Sequence, residues 1–164
     1  MSRTHLIFSF LIGLLIINSF DIQNKVVFIA VLLTASVIPD IDSCKSKIGK
    51  KVKPLSFLIN IFLGHRGIFH SLLLPILVSL LIMPINYEIA AAFFIGYLSH
   101  FVLDSLTPEG VMFLYPFSKK RIKGLIRTCS LWENILFFIL IILCFEVLFL
   151  YITGHWTSLN KLFK

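Results

Sequence analysis

Apolar positions fall in blocks along the chain, and polar residues gather where the blocks end. Residues 6–20 are almost wholly apolar, a short polar turn occupies 21–25, and residues 26–38 are apolar again, so both blocks predict helices. The second block stops at Pro39-Asp40-Ile41-Asp42. A lysine-rich stretch at 43–54 separates it from a short apolar run at 55–63. His65-Arg66-Gly67-Ile68-Phe69-His70-Ser71 then leads into an apolar block that carries Pro75 and Pro84 and ends near residue 85. After a tight turn at 86–88, residues 89–106 predict a fourth long helix. Pro108 cannot continue it, and Gly110 suits the turn that follows. A second basic loop at 107–131 precedes 132–152, the longest apolar run, and the chain closes in a polar tail. Nothing repeats internally, and one membrane-embedded domain, 1–164, accounts for the whole.

Composition places these helices in a bilayer. The chain is 58% hydrophobic and 14% charged, with a mean hydropathy of +0.96, which predicts an all-α polytopic membrane helical bundle. The block at 132–152 has the roughly 20 residues a span requires. Those at 6–20 and 26–38 fall short, and cross only if flanking polar residues reach the interface or the bilayer thins. The first block lacks an A-x-A-like cleavage site and runs at once into the second, so it is expected to stay as a helix. Cys44, Cys129 and Cys144 show no CxxC spacing, which argues against a disulfide framework or a thiolate zinc site.

The net charge of +7 is uneven. Lys45, Lys47, Lys50, Lys51 and Lys53 form one cluster; Lys119, Lys120, Arg121, Lys123 and Arg127 form another. Basic clusters beside apolar helices predict cytoplasmic loops lying against anionic lipid headgroups, which accounts for the charge without a nucleic-acid partner. Both loops share a side if 6–20, 26–38, 68–85, 89–106 and 132–152 cross while 55–63 lies in the interface as a short helix. This arrangement predicts five transmembrane helices, with the N-terminus inside and the C-terminus outside.

That topology gathers the ionisable residues. His5 begins the first helix on the cytoplasmic side, and Asp40 and Asp42 end the second there. His65 and His70 enter the third, His100 and Asp104 end the fourth, and Ser130 and Glu133 begin the fifth. His155 falls on the far side. His100 and Asp104, four apart near a helix end, share one face, where an imidazole and a carboxylate can point at one cation. Ionisable groups at membrane depth are costly and usually pair, coordinate or do chemistry. Imidazoles and carboxylates from separate helices are how bundles build metal sites, and they suit Zn²⁺ while admitting Mn²⁺ or Fe²⁺. His5, Asp40, His65, His70, His100 and Asp104 are the candidate ligands. Asp42, Arg66 and Glu133 are the candidate catalytic residues: a carboxylate base, a guanidinium for developing negative charge, and an acid at a helix start. Glu133 there is equally an ordinary dipole-favoured charge with Ser130 as its cap. His65 and His70 lie about 140° apart on a regular helix, so Gly67 has to bend the backbone if both are to serve.

Pro39-Asp40-Ile41-Asp42, His65-Arg66-Gly67-x-x-His70-Ser71 and Gly96-Tyr97-Leu98-Ser99-His100-x-x-x-Asp104-x-x-Thr107-Pro108-x-Gly110 together resemble the YdjM-like family of inner-membrane, metal-dependent hydrolases. Thr4-His5 resembles that family's start, and the resemblance covers roughly residues 4–133. The lysine-rich segment after Asp42 departs from the usual pattern. The motif logic is similar to that of zinc-dependent phospholipase C, which implies a phosphoester substrate such as a phospholipid headgroup. Other membrane enzymes fit worse. A zinc protease needs His-Glu-x-x-His on one helix. PAP2-type lipid phosphatases need a Ser-Arg pair where this chain has Phe93 and Phe94, and serine hydrolases need Gly-x-Ser-x-Gly. A metal-ion transporter or sensor, or a membrane scaffold with a structural metal, would use the same ligands; the transporter also needs polar residues across the bundle, where Glu146 stands alone.

Overall fold

Three of the helices begin where a side chain accepts from a first-turn amide. Asn24 accepts from the Val27 N–H (3.1 Å), Asn86 from Ile89 (3.0 Å) and Ser130 from Glu133 (3.3 Å). The computed structural model describes residues 1–42, 68–154 and 156. It contains α1 (Ser2–Ser19), α2 (Lys25–Ala35), α3 (Leu73–Ile82), α4 (Tyr87–Ser105) and α5 (Leu131–Ile152), with 3-10 turns at Ile38–Asp42 and Ile68–His70. No strand occurs among the described residues; Val111 and Ile122 make one isolated antiparallel bridge in the loop between α4 and α5. The all-α class read from the sequence is the class observed. The basic loop at 43–54, the short run at 55–63, His65 and Arg66 lie outside the described residues, as does the side chain of Asp42.

Helix lengths differ from the sequence expectation. Two described helices, α1 with 18 residues and α5 with 22, have the length and hydropathy to cross a membrane. α2 has 11 residues and α3 has 10, so at about 1.5 Å per residue they reach only half of a roughly 30 Å hydrocarbon core. The cause at α2 is local. Pro39 has no N–H to donate and disfavours helical backbone before it, so the chain tightens into a 3-10 turn. Val37 N–H donates to the Thr34 carbonyl and Asp40 N–H to the Val37 carbonyl, both at 3.1 Å. Pro75 falls in the first turn of α3, where a missing N–H is harmless, and Pro84 follows its end.

The helices pack along two main seams. Leu11 and Leu14 of α1 meet Leu140, Cys144 and Val147 of α5. Phe28 and Leu32 of α2 meet Ala92 of α4. A third cluster, Tyr97, Phe101 and Val111, packs the end of α4 against the following loop. Small residues let backbones approach closely where helices cross in a membrane protein. Gly96 is such a place, since a Cβ there would land on the Leu32 carbonyl oxygen and lie 2.9 Å from its carbonyl carbon. Gly96→Ala is therefore expected to cost about 1–3 kcal/mol through overpacking. Gly13→Ala, whose Cβ would meet chiefly the movable end of Ile29, is expected to cost less. Thermal unfolding in detergent ranks the two; equal midpoints would mean that the Gly96 contact is not tight.

Candidate metal centre

The ends of these elements bring four ionisable side chains to one place. α1 turns Thr4, His5 and Ser9 into the bundle, and α4 turns Ser99, His100 and Asp104 in to meet them. The Asp104 carboxylate is the meeting point. Its Oδ1 lies 3.3 Å from His5 Nε2, and its Oδ2 lies 3.5 Å from both His70 Nε2 and His100 Nε2. All four residues are buried: His100 0%, His5 2%, His70 3% and Asp104 6% exposed. The His5 and His100 rings stack, with centroids 4.0 Å apart and planes at 12°, while His70 meets His100 edge-on at 5.5 Å.

Neighbouring polar groups fix these side chains. His100 Nδ1 lies 2.8 Å from the Ser36 carbonyl, a group that can only accept, so Nδ1 carries a proton. The neutral ring then presents the Nε2 lone pair towards Asp104, which is how a metal-binding imidazole is oriented. Ser99 Oγ donates to the Gly96 carbonyl at 2.6 Å, which uses its proton. The 2.5 Å contact between Ser9 and Ser99 therefore has Ser9 as donor, tying α1 to α4 one turn from the imidazoles. Tyr97 Oη donates to the Phe69 carbonyl (2.9 Å) and Leu72 N–H to the Phe113 carbonyl (2.9 Å), holding the turn that carries His70. Beyond Asp104, Thr107 Oγ1 donates to the Asp104 carbonyl (2.8 Å), and Gly110 takes a positive φ of 65° to close the turn.

The donor set fits a divalent cation. His5, His100 and Asp104 each offer one ligand atom, all within 4.8 Å of one another. Ligands about 2.0–2.2 Å from a tetrahedral ion stand roughly 3.4 Å apart, close to the spacings around Asp104. His5 Nδ1 and His100 Nε2 are buried without a hydrogen-bond partner among the described residues. At His100, whose proton sits on Nδ1, the Nε2 lone pair faces the carboxylate, and a positive centre between them relieves that burial cost. Two protonated rings are a poor substitute, since unit charges 4 Å apart repel by about 4 kcal/mol at an effective dielectric of 20. A cation answers both demands.

Other residues named from the sequence fall around this core. Asp40 is half-buried and accepts from Ser2 Oγ at 3.2 Å. Glu133 is not among the imidazoles. Its Oε1 takes the Met1 amine at 2.9 Å and the Thr4 hydroxyl at 3.0 Å, and its Oε2 takes the Cys129 N–H at 2.5 Å. It clasps the start of α1 to the start of α5, and both its oxygens are engaged. Glu146 lies on the exposed face of α5, six residues from the helix end. Sequence reading missed Ser36 and Ser9, and named Tyr97 only as part of a motif, without its role. Ser99-His100 hints at a polar pair beside the ligand, but a backbone carbonyl such as that of Ser36 leaves no signal in a sequence.

The family model described as YdjM inner membrane protein matches residues 1–162. The chain belongs to the YdjM inner membrane protein family. It is 39% identical over 90 residues to inner membrane protein YdjM of Escherichia coli (strain K12), covering 49% of this chain and 44% of that protein. YdjM of Shigella flexneri matches equally. It is 34% identical over 116 residues to YvsG of Bacillus subtilis (strain 168), covering 66% of this chain and 72% of the relative. The chain thus spans less than half the length of the YdjM proteins it matches. No solved structure matches. Family membership and the apolar helices make this an inner-membrane protein.

If the centre holds a metal, Asp104→Asn and His100→Ala should each weaken divalent-ion affinity about tenfold to a hundredfold. Glu146→Gln should leave it unchanged. Elemental analysis and metal titration of detergent-purified protein check this. Full metal content in Asp104→Asn would mean that Asp104 is not a ligand, and wild type without metal would make the cluster a structural polar core.

Proposed function

We propose that this chain is a membrane-bound, metal-dependent hydrolase that cleaves a phosphoester such as a phospholipid headgroup at the cytoplasmic face. The observation that carries the reading is the buried Asp104 carboxylate ringed by His5, His70 and His100, with two imidazole nitrogens left without partners among the described residues. His5, His70, His100 and Asp104 would hold a divalent ion, zinc by preference for nitrogen ligands, with manganese or iron compatible; Asp40 and His65 are further candidates. Such an ion supplies Lewis acidity and an acidified water.

The chain's own residues supply the rest. One aspartate of the Pro39-Asp40-Ile41-Asp42 motif, left unligated, takes the proton of the attacking water as the water's oxygen bonds to phosphorus. The bond from phosphorus to the leaving alkoxide breaks, and the alkoxide takes up that proton. Arg66, by its place in the His-Arg-Gly motif, offers a bidentate guanidinium to the phosphoryl oxygens, and Asp42 is a second carboxylate for proton transfer. Glu133 holds α1 and α5 in register.

Membrane lipids are the proposed partners. The loop after α4 exposes Phe117 (87%) and Leu125 (93%) among Lys119, Lys120, Arg121, Lys123 and Arg127. Apolar side chains set among cations suit an anionic headgroup layer. The transporter reading has less support, because the α1–α5 seam beyond Ser9 is lined by Leu11, Leu14, Leu140 and Val147, and Glu146 lies outside it. The five-crossing topology belongs to the proposal too, with both basic loops inside.

Two measurements test these proposals. In phospholipid–detergent micelles, purified protein should release phosphorylated headgroup or phosphate; Asp104→Asn should lose that release at least tenfold while inserting normally. Activity unchanged in Asp104→Asn would remove the hydrolase reading. A membrane-impermeant thiol reagent should leave Cys44 and Cys129 unlabelled in intact cells and label both after permeabilisation. Labelling of only one from outside would make the number of crossings wrong.

A further inference from the structure

Away from the imidazoles, α1 forms the floor of an apolar groove. Arg3, Leu6, Ile7 and Phe10 recur at helical spacing along one stripe of α1, while His5 and Ser9 face the bundle interior. Leu33 of α2 and Phe137 of α5 form the walls of an open groove of about 380 Å³. From Arg3 to Phe10 it runs about 10 Å along the helix axis. Its opening is outward, since Leu6 is 41% exposed.

One end of this apolar slot carries a charge. The Arg3 guanidinium lies 5.6 Å from the centre of the Phe137 ring, a cation–π contact that holds it at the groove's end. Among the described residues Arg3 has no acidic partner. An apolar channel capped by a guanidinium matches an amphiphile with an anionic phosphodiester and an acyl chain. The planar fork of Arg grips two phosphate oxygens, and the (CH₂)ₙ tail covers Leu6, Phe10 and Leu33. A zwitterionic headgroup offers the same phosphate already shielded by its own ammonium.

We propose that the Arg3–Phe10 groove binds one anionic glycerophospholipid, phosphate on Arg3 and acyl chain between α2 and α5, as a site separate from the metal centre. The assignment does not rest on the hydrolase reading. Native mass spectrometry of delipidated protein tests it, with phosphatidylglycerol and phosphatidylethanolamine added separately, with and without a chelator. Wild type should retain one phosphatidylglycerol, about fivefold more tightly than phosphatidylethanolamine, the effect of one basic residue at an anionic lipid. Arg3→Gln, a change at an exposed position, should erase that preference. Leu33→Trp, which fills the groove, should weaken both lipids. Lys119→Gln with Lys120→Gln should leave the preference intact, and the chelator should not alter it. Equal binding of both lipids by wild type would overturn the assignment, as would a preference that survives Arg3→Gln or disappears with the lysines. If Leu33→Trp fails to accumulate, the Arg3→Gln comparison decides alone. Hydrolysis is assayed separately, so its absence would count against the hydrolase reading alone and leave the groove standing.

Discussion

A carboxylate buried among three imidazoles sets the terms for the rest of the structure. Taking an ionised group out of water costs several kcal/mol unless partners surround it, and Asp104 can find those partners only where separate elements meet. The start of α1 brings His5, the turn before α3 brings His70, and α4 brings His100 along with Asp104 itself. The end of α2 brings the Ser36 carbonyl that fixes His100. The early stop of α2 fits this demand: a longer helix would have used that carbonyl in its own ladder.

Around this centre the polar contacts are arranged to hold elements together. Ser9 and Ser99 join α1 to α4, Glu133 joins α1 to α5, and Tyr97 holds the turn that carries His70. Each is a contact between residues far apart in the chain, and each is buried or partly buried, where a satisfied hydrogen bond matters most and an unsatisfied one is costly. The apolar seams do the bulk of the packing; these contacts decide how the helices stand relative to one another at the end that carries the imidazoles.

Much of the centre was legible because it is written in local spacing. His100 and Asp104 lie one turn apart before Pro108, which ends the helix in any environment, and the block pattern alone sends His5, His70 and Asp40 to the same end. The helix lengths were less legible. Hydropathy runs on through Val37 and Ile38, but the hydrogen-bond pattern changes before Pro39, so apolar length overstates helical length. Glu133 shows the other limit. An acid behind a serine cap reads equally as a helix-start charge or a catalytic group, and its engagement with Thr4, 129 positions away, leaves no local trace. The Ser36 carbonyl is invisible for a simpler reason, since every residue has one.

The bare backbone at Gly96 has a mechanical consequence. Gly96 lies one turn before His100, and Leu32 lies one turn before Ser36, so the two crossing residues stand beneath the two that hydrogen-bond. The crossing therefore acts as a spacer gauge for the centre above it. Anything that widens it, such as an added methyl, lengthens the link that decides which nitrogen of His100 is free. The placement of the imidazoles is in this sense calibrated deep in the apolar interior, at a residue that has no side chain to take part in any chemistry.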